Sequence, residues 1–265
     1  MNNGKKPVTM ADIAKICNVS IAAVSYTLNG KHNSRIPEET KQKILQIANL
    51  YQYRLNPYAK ALATGELRNV LFFYESTTSP LLKGEILNFI DMLSDFLKKH
   101  SYNLIVAPKD QIDIYNNVDA ILTYRISKKT FKDLANKNFC PVVCVDTHID
   151  DGLFFEVINN FENLVKSNET INVSFSYNDE EINESLTRFE NVYLINDVND
   201  LMLKLTPLKD KKINCLNKEI YDFLNKEGFN CTYSPVDTIT KIETIFEVLK
   251  LAMSRSDYNK HKFII

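Results

Sequence analysis

The sequence predicts two unlike folds in tandem, a small all-α head and a larger α/β body built on parallel sheet. Apolar residues in the first fifty positions recur at helical spacing, whereas from Asn69 onward short apolar runs alternate with helical segments. Between them, Asn56-Pro57 offers a helix start and Gly65 a stop, about two turns apart. Charge divides at the same place. Residues 1–65 hold nine Lys and Arg against three acids, a balance of +6, and the other 200 residues hold 23 against 30. A basic head on an acidic body suits phosphate-backbone binding by the head alone.

Residues 1–7 read as a polar arm. In TMADIAKICNVSIAAVSYTLNG (9–30) the apolar positions Ile13, Ile16, Val19, Val24 and Leu28 make two short helices around a turn at Cys17–Ser20. Ser20 stands at an N-cap, the second helix runs from Ile21 to Asn29, and Gly30 stops it. These are the parts of a helix-turn-helix, although spacing alone also fits an αα-hairpin in some other core. GKHNSRI (30–36) reads as a cationic loop. Pro37, Glu38 and Glu39 open a third helix, whose apolar face is Ile44, Ile47, Ala48 and Tyr51. The two-turn segment RLNPYAKALATGE (54–66) is too short to hold as a helix in water unless something packs on it.

In the body, residues 69–75, 103–107, 119–124 and 141–146 are strand candidates. A strong helix covers 82–99 and a shorter one Phe131–Leu134. A weaker second set of strands lies at 173–177, 191–196 and 212–216, with helices expected over 155–166, 180–189, 218–227 and 241–254. The alternation implies right-handed βαβ units. The five cysteines (17, 140, 144, 215, 231) are odd in number and lack a CxxC pair, which favours free thiols over a metal site or disulfides. No apolar run reaches membrane-spanning length and no secretory leader opens the chain, so a cytoplasmic protein is expected.

PVTMADIAKICNVSIAAVSYTLNG, IPEETKQKI, YQYRLNP and AKALATG, in register across residues 7–65, resemble the lactose-repressor (LacI/GalR) family of bacterial regulators. The resemblance implies a homodimer on a near-palindromic double-stranded DNA operator, one head per half-site. It divides the chain into a head (1–54), a hinge helix (55–66) and an effector-binding and dimerisation domain (67–265). Ile21, Ala22 and Tyr26 match base-facing positions, with Ser20, Ser25 and Asn29 at neighbouring phosphate or base contacts. Ile21 and Ala22 cannot make bidentate hydrogen bonds but can pack on thymine methyls. Thr9, Arg35, Thr40 and Tyr53 match backbone contacts. Leu62 falls on the leucine wedged between central base pairs, with Asn56, Ala59 and Lys60 along the same groove.

For the body the resemblance implies a periplasmic-binding-protein-like pair of parallel-sheet lobes, the second reduced. The ending DTITKIETIFEVLKLAM…HKFII resembles a final crossover helix and strand. Several motifs that line the family's ligand cleft are missing, and the body is several tens of residues shorter than usual. The cleft is therefore expected to hold few convergent polar groups, and the body to serve mainly as a dimerisation or protein-partner module. A version with a small-molecule effector stays open. Residues at strand carboxyl ends are the effector candidates: Tyr74, Ser76, Thr77, Tyr124, Arg125, Asp146, Tyr177 and Arg188. A solute-binding protein and an enzyme are the competing classes. The four histidines (32, 100, 148, 261) show no metal spacing, and there is no GxSxG or P-loop. His148 with Asp146, Asp150 and Asp151 is the one acidic–histidine cluster, read as a solvated loop. No enzyme activity, cofactor, metal or membrane partner is implied.

Overall fold

The computed structural model describes residues 8–30, 35–53, 65–108, 112–160, 170–234, 237–254 and 258–265. The chain divides into two compact units, Met1–Leu67 and Arg68–Ile265. Asn56, Ala59, Lys60, Leu62 and most of the expected hinge helix lie outside the described residues.

Among its described residues the first unit holds three helices, α1 (Met10–Cys17), α2 (Ile21–Leu28) and α3 (Glu38–Leu50). Thr9 starts α1 with a capping box: the Asp12 amide donates to Thr9 Oγ1 while the Thr9 amide donates to the Asp12 carboxylate. Asn18, in left-handed backbone, ends it. Ser20 caps α2 by accepting from the Ala23 amide at 3.1 Å. Ile13, Ala14, Cys17, Val24, Ile44 and Ala48 form the core, with Val19, Leu28, Ile47 and Tyr53 packed at its margin. Ile16 and Tyr51 depart from the expected pattern and are exposed. For Tyr51 the cause is the way α3 ends. Gln52 takes positive φ, and the Tyr53 amide reaches back to the Ala48 carbonyl at 2.8 Å. That Schellman-type turn swings Tyr53 inward in place of Tyr51.

The body has two lobes. In the first, strands β1 (Asn69–Tyr74), β2 (Asn103–Pro108), β3 (Ala120–Tyr124), β4 (Val142–Val145), β5 (Phe155–Ile158) and β10 (Lys262–Ile264) form a sheet ordered β10-β5-β4-β3-β1-β2. Every described strand pair in it is parallel. Strand alternation sends Val70, Phe72, Leu122, Val143 and Val145 to one face, under α4 (Pro80–Lys99) and α9 (Thr238–Ser254). Leu71, Phe73, Ile121 and Cys144 go to the other face, under α5 (Lys128–Lys137). Phe72 and Phe73 are fully buried on opposite faces, and each such burial is worth about 1.5–3 kcal/mol.

The second lobe has a four-stranded parallel sheet, β7-β6-β8-β9, from β6 (Ile171–Phe175), β7 (Val192–Ile195), β8 (Ile213–Cys215) and β9 (Cys231–Tyr233). With it go α6 (Glu180–Thr187), α7 (Val198–Leu205) and α8 (Lys218–Lys226). Val173, Phe175, Ile195, Leu201, Leu205, Ile213, Ile220 and Leu224 are its principal core.

Two expectations fail here. Residues 155–158 are a strand, not the start of a helix over 155–166. Phe155 and Val157 pack into the first-lobe core while Glu156 points to the opposite side. A run as short as FFEVI has no periodicity that separates strand from buried helix, and here β4 and β10 supply hydrogen-bonding neighbours on both sides. Helix α7 was not foreseen. Its signal is the Asp197 cap, accepting from the Asp200 amide at 2.8 Å, followed by Leu201 and Leu205 one turn apart.

Candidate functional site

Two features stand out, one in each unit. In the head, Ile21, Ala22, Ser25, Tyr26 and Asn29 share one face of α2, because steps of three and four residues nearly complete a turn. Ile21 is 53% exposed and Tyr26 43%, Ala22 is exposed, and Val24 on the opposite face is fully buried. The outward orientation of the three reading candidates is thus set by which face of α2 the core takes. Asn29 Nδ2 donates to the Ser25 carbonyl at 2.8 Å, fixing the end of that face. Thr9 is exposed, but its hydroxyl donates to Asp12 at 2.7 Å and so serves the cap. Arg35 is exposed and Thr40 half-buried on α3, while Tyr53 is half-buried against the head core.

In the body, strand order reverses direction beside β1 in the first sheet and beside β6 in the second. Such switch points open a crevice at the strands' carboxyl ends. A cavity of about 330 Å³ lies there, walled by both lobes: Tyr124, Asp146 and Asn159 from one, Tyr177, Asn217 and Glu219 from the other. Helix α4 adds Glu85 and Phe89, and helix α9 adds Lys241. A smaller recess beside it is lined by Ser76, Thr77 and Arg125. The structure therefore brings together Tyr124, Arg125, Asp146 and Tyr177, with Ser76 and Thr77 at the edge. It leaves out two candidates. Tyr74 packs against Phe72 in the core, 6.0 Å between ring centroids, and exposed Arg188 caps the far end of α6.

Lys241 and Glu85 were missed by sequence reasoning. Lys241 is 4% exposed and its Nζ meets Asp146 Oδ2 at 2.5 Å. Glu85 Oε1 accepts from the Tyr124 hydroxyl at 2.9 Å and faces the Arg125 guanidinium at 3.7 Å. Arg125 also donates to the Ser176 carbonyl at 2.8 Å and lies 3.8 Å over the Tyr177 ring. Burial opposes its charge, but Glu85 and the surrounding hydroxyls more than offset that, so the guanidinium stays firmly protonated. The Tyr124 hydroxyl is pushed well up, first by burial and then by Glu85 and Asp146. Arg125 and Asp146 both hold left-handed backbone, φ 52 and 56, at the ends of β3 and β4. Non-glycine residues held this way cluster at functional sites.

Contacts beside the cavity tie lobe to lobe. Asn178 Nδ2 donates to Glu75 Oε2 at 2.7 Å and to the Arg125 carbonyl at 3.1 Å. Lys128 pairs with Glu181, and the His148 amide donates to Asp179 at 2.8 Å. The expected acidic–histidine cluster is rearranged. Asp146 turns to Lys241, Asp151 accepts from the Leu153 amide, and buried Glu156 joins His148 and Asp150 instead. These three could offer ligand atoms to a metal. Lys262 stands 3.0 Å from His148 Nδ1, however, and Lys128 3.7 Å from Asp150, so lysines already balance the group's charge. All five cysteines are free, and burial pushes the Cys144 thiol up to about 12.

Residues 9–56 match the family model described as bacterial regulatory proteins, lacI family. Over these residues the head is similar to that family. The chain is 30% identical over 161 residues to a probable HTH-type transcriptional repressor, ExuR, of Bacillus subtilis, covering 58% of this chain and 47% of that protein. The chain spans about half the length of the curated relatives it matches. Among solved structures, a lac repressor dimer bound to operator and an anti-inducer superposes with a TM-score of 0.57 at 14% identity, covering 98% of this chain and 96% of that one. A periplasmic binding protein/LacI transcriptional regulator from Alkaliphilus metalliredigens, complexed with D-xylulofuranose, gives 0.51 at 10% identity over 75% and 95%. These likenesses concern the fold: a helix-turn-helix head before an α/β body of two parallel sheets. Among the described residues no helix is long and apolar enough to cross a membrane.

Proposed function

We propose that this chain is a sequence-specific DNA-binding transcriptional regulator, a repressor. It works in the cytoplasm as a homodimer on a near-palindromic operator and has no enzymatic step. The observation that carries this reading is the outward face of α2, Ile21, Ala22 and Tyr26, within a segment that matches the lacI-family model. Ile21 and Ala22 pack on thymine methyls in the major groove and the Tyr26 hydroxyl makes one polar contact. Ser20, whose Oγ accepts from Ala23, can turn its proton to a phosphate, and Ser25 and Asn29 extend that row. Thr9, Arg35, Thr40 and Tyr53 set register on the backbone. Asn56, Ala59, Lys60 and Leu62 enter the minor groove, where Leu62 from each protomer partly unstacks a central step. With so few hydrogen bonds to bases, specificity leans on DNA shape.

Polar groups converging on the interlobe cavity favour a small-molecule effector over a body that only dimerises or docks a protein. A ligand that binds one lobe arrangement better shifts the heads' affinity for DNA.

Selection of the purified protein on random duplexes tests the first part. The expected result is a palindrome with a deformable centre, a large loss for Leu62→Ala, and affinity falling on the order of 10³-fold between low and physiological salt. An asymmetric site, or indifference to Leu62→Ala, overturns it. A thermal-shift screen with sugars, phosphosugars and nucleosides tests the second part, and a protein unmoved by all of them returns the body to the partner-module reading.

A further inference from the structure

The cavity's own chemistry narrows its ligand, on the reading that it is the effector site. Its walls carry four carboxylates, Glu85, Asp91, Asp146 and Glu219, against two ammonium groups, Lys218 and Lys241. Lys241 is committed to Asp146 at 2.5 Å, and nearby Arg125 to Glu85, the Ser176 carbonyl and the Tyr177 ring. Lys218 is exposed at the rim. An anion in the cavity would face carboxylates with its interior cations already taken.

Acceptors are the reverse case. Glu85 Oε1 receives the Tyr124 hydroxyl, but buried Glu85 Oε2 meets no donor. Asn159, 4% exposed, gives its amide N–H to Asp146 and sits beside the Tyr177 hydroxyl, while its Oδ1 meets no donor. Buried acceptors left this way call for a partner that brings donors. Phe89 and Tyr124 stack at 4.4 Å on the same wall, where they already hold one cation, the Lys241 ammonium 5.8 and 5.5 Å from their centroids. The carboxylates also crowd one another. Burial pushes the Glu219 carboxyl up, and the nearby charges of Glu85 and Asp222 push it further.

We propose that the interlobe cavity binds a small organic cation, a protonated amine seated against Glu85 with further N–H or O–H donors directed to Asn159. The ammonium fills the missing donor position at Oε2 and relieves repulsion between Glu85 and Glu219. The remaining donors separate this ligand from a bare hydrophobic amine.

The full chain should be titrated with glucosamine, glucose, glucuronate, glucose 6-phosphate and spermidine at matched ionic strength, reading the thermal midpoint and then calorimetric affinity. Glucosamine is expected to raise the midpoint more than glucose does, with glucuronate and glucose 6-phosphate inert. Glu85→Gln should weaken glucosamine about tenfold and, because it strands the buried Arg125 guanidinium, should lower the unliganded midpoint as well. Glu219→Gln, at a less enclosed carboxylate, should weaken it several-fold and serves where Glu85→Gln does not fold. Preference for glucose or for either anion overturns the cationic ligand and leaves the effector cavity standing. A chain unmoved by both amines also overturns the cation, and the DNA-binding reading is decided separately by duplex selection.

Discussion

Lys241 lies one turn before Ile245 and two before Val248 on the buried stripe of α9. Glu85 likewise follows Leu82 and precedes Phe89 on the buried stripe of α4. A charge on an apolar stripe was therefore the visible sign of both residues. The partners were not visible, because Asp146 is 95 positions from Lys241 and Arg125 forty from Glu85. Breaking the pair on one side leaves a buried charge without compensation. Lys241→Ala is expected to destabilise the body by about 3–5 kcal/mol in denaturant unfolding, and the double change Lys241→Met with Asp146→Asn to restore wild-type stability or exceed it. Glu156 gives a pH signature. Burial raises its carboxyl, but hydrogen bonds from His148 and the Ile149 and Asp150 amides, with Lys262 nearby, bring it below its ordinary value. A depressed folded pKa means the stabilisation is present above the unfolded pKa and fades as pH falls through the folded one. Thermal midpoints measured downward through the carboxylate range should fall less steeply for Glu156→Gln than for wild type.

Elements were readable where two periods contrast clearly. The 3.6-residue stripe of α4 and the strands either side of it need only the sequence, and so does the cap at Ser20. The strand at 155–158 was not readable, because its identity depends on β4 and β10 arriving beside it. Ser20 has two roles in the same oxygen, helix cap and phosphate contact, and substitution can part them. Ser20→Ala should cost about 1 kcal/mol of head stability and weaken DNA binding. Ser20→Asp should keep the cap, since its carboxylate can accept from the Ala23 amide, yet weaken DNA binding more by facing phosphate. Head melting followed by circular dichroism, with binding to the selected duplex, separates the two. Equal DNA affinity for Ser20→Asp and wild type would remove Ser20 from the interface.

Across the whole molecule, a charge-divided chain and βαβ alternation announced a head and a body in advance, but of the cavity's polar lining only Tyr124, Arg125, Asp146 and Tyr177 were legible, at strand ends. The lining joins β3, β4 and α9 of one lobe to residues after β6 and β8 of the other, and no single stretch contains it. Arg125 is the clearest bridge, with its guanidinium on Glu85, the Ser176 carbonyl and Tyr177 together. Arg125→Met should keep most of the packing over Tyr177 while leaving Glu85 without its cation, a loss of about 3 kcal/mol. Hydrogen exchange should then rise at the Ser176–Asn178 amides before the sheet cores. A uniform rise across both sheets would mean that Arg125 supports the fold and not the junction of the lobes.

The positive φ at Arg125 and Asp146 bears on how this sequence can drift. Asparagine tolerates left-handed backbone as readily as aspartate, and a neutral pair avoids the desolvation that an ion pair carries. A library sorted only for heat resistance should therefore gather Asp146→Asn alongside Lys241→Met. At Arg125 that route is closed, since losing the guanidinium strands Glu85. Durability and responsiveness thus compete at one position and coincide at its neighbour. Sorting in alternate rounds for melting temperature and for ligand response should fix Arg125 while residue 146 changes back and forth.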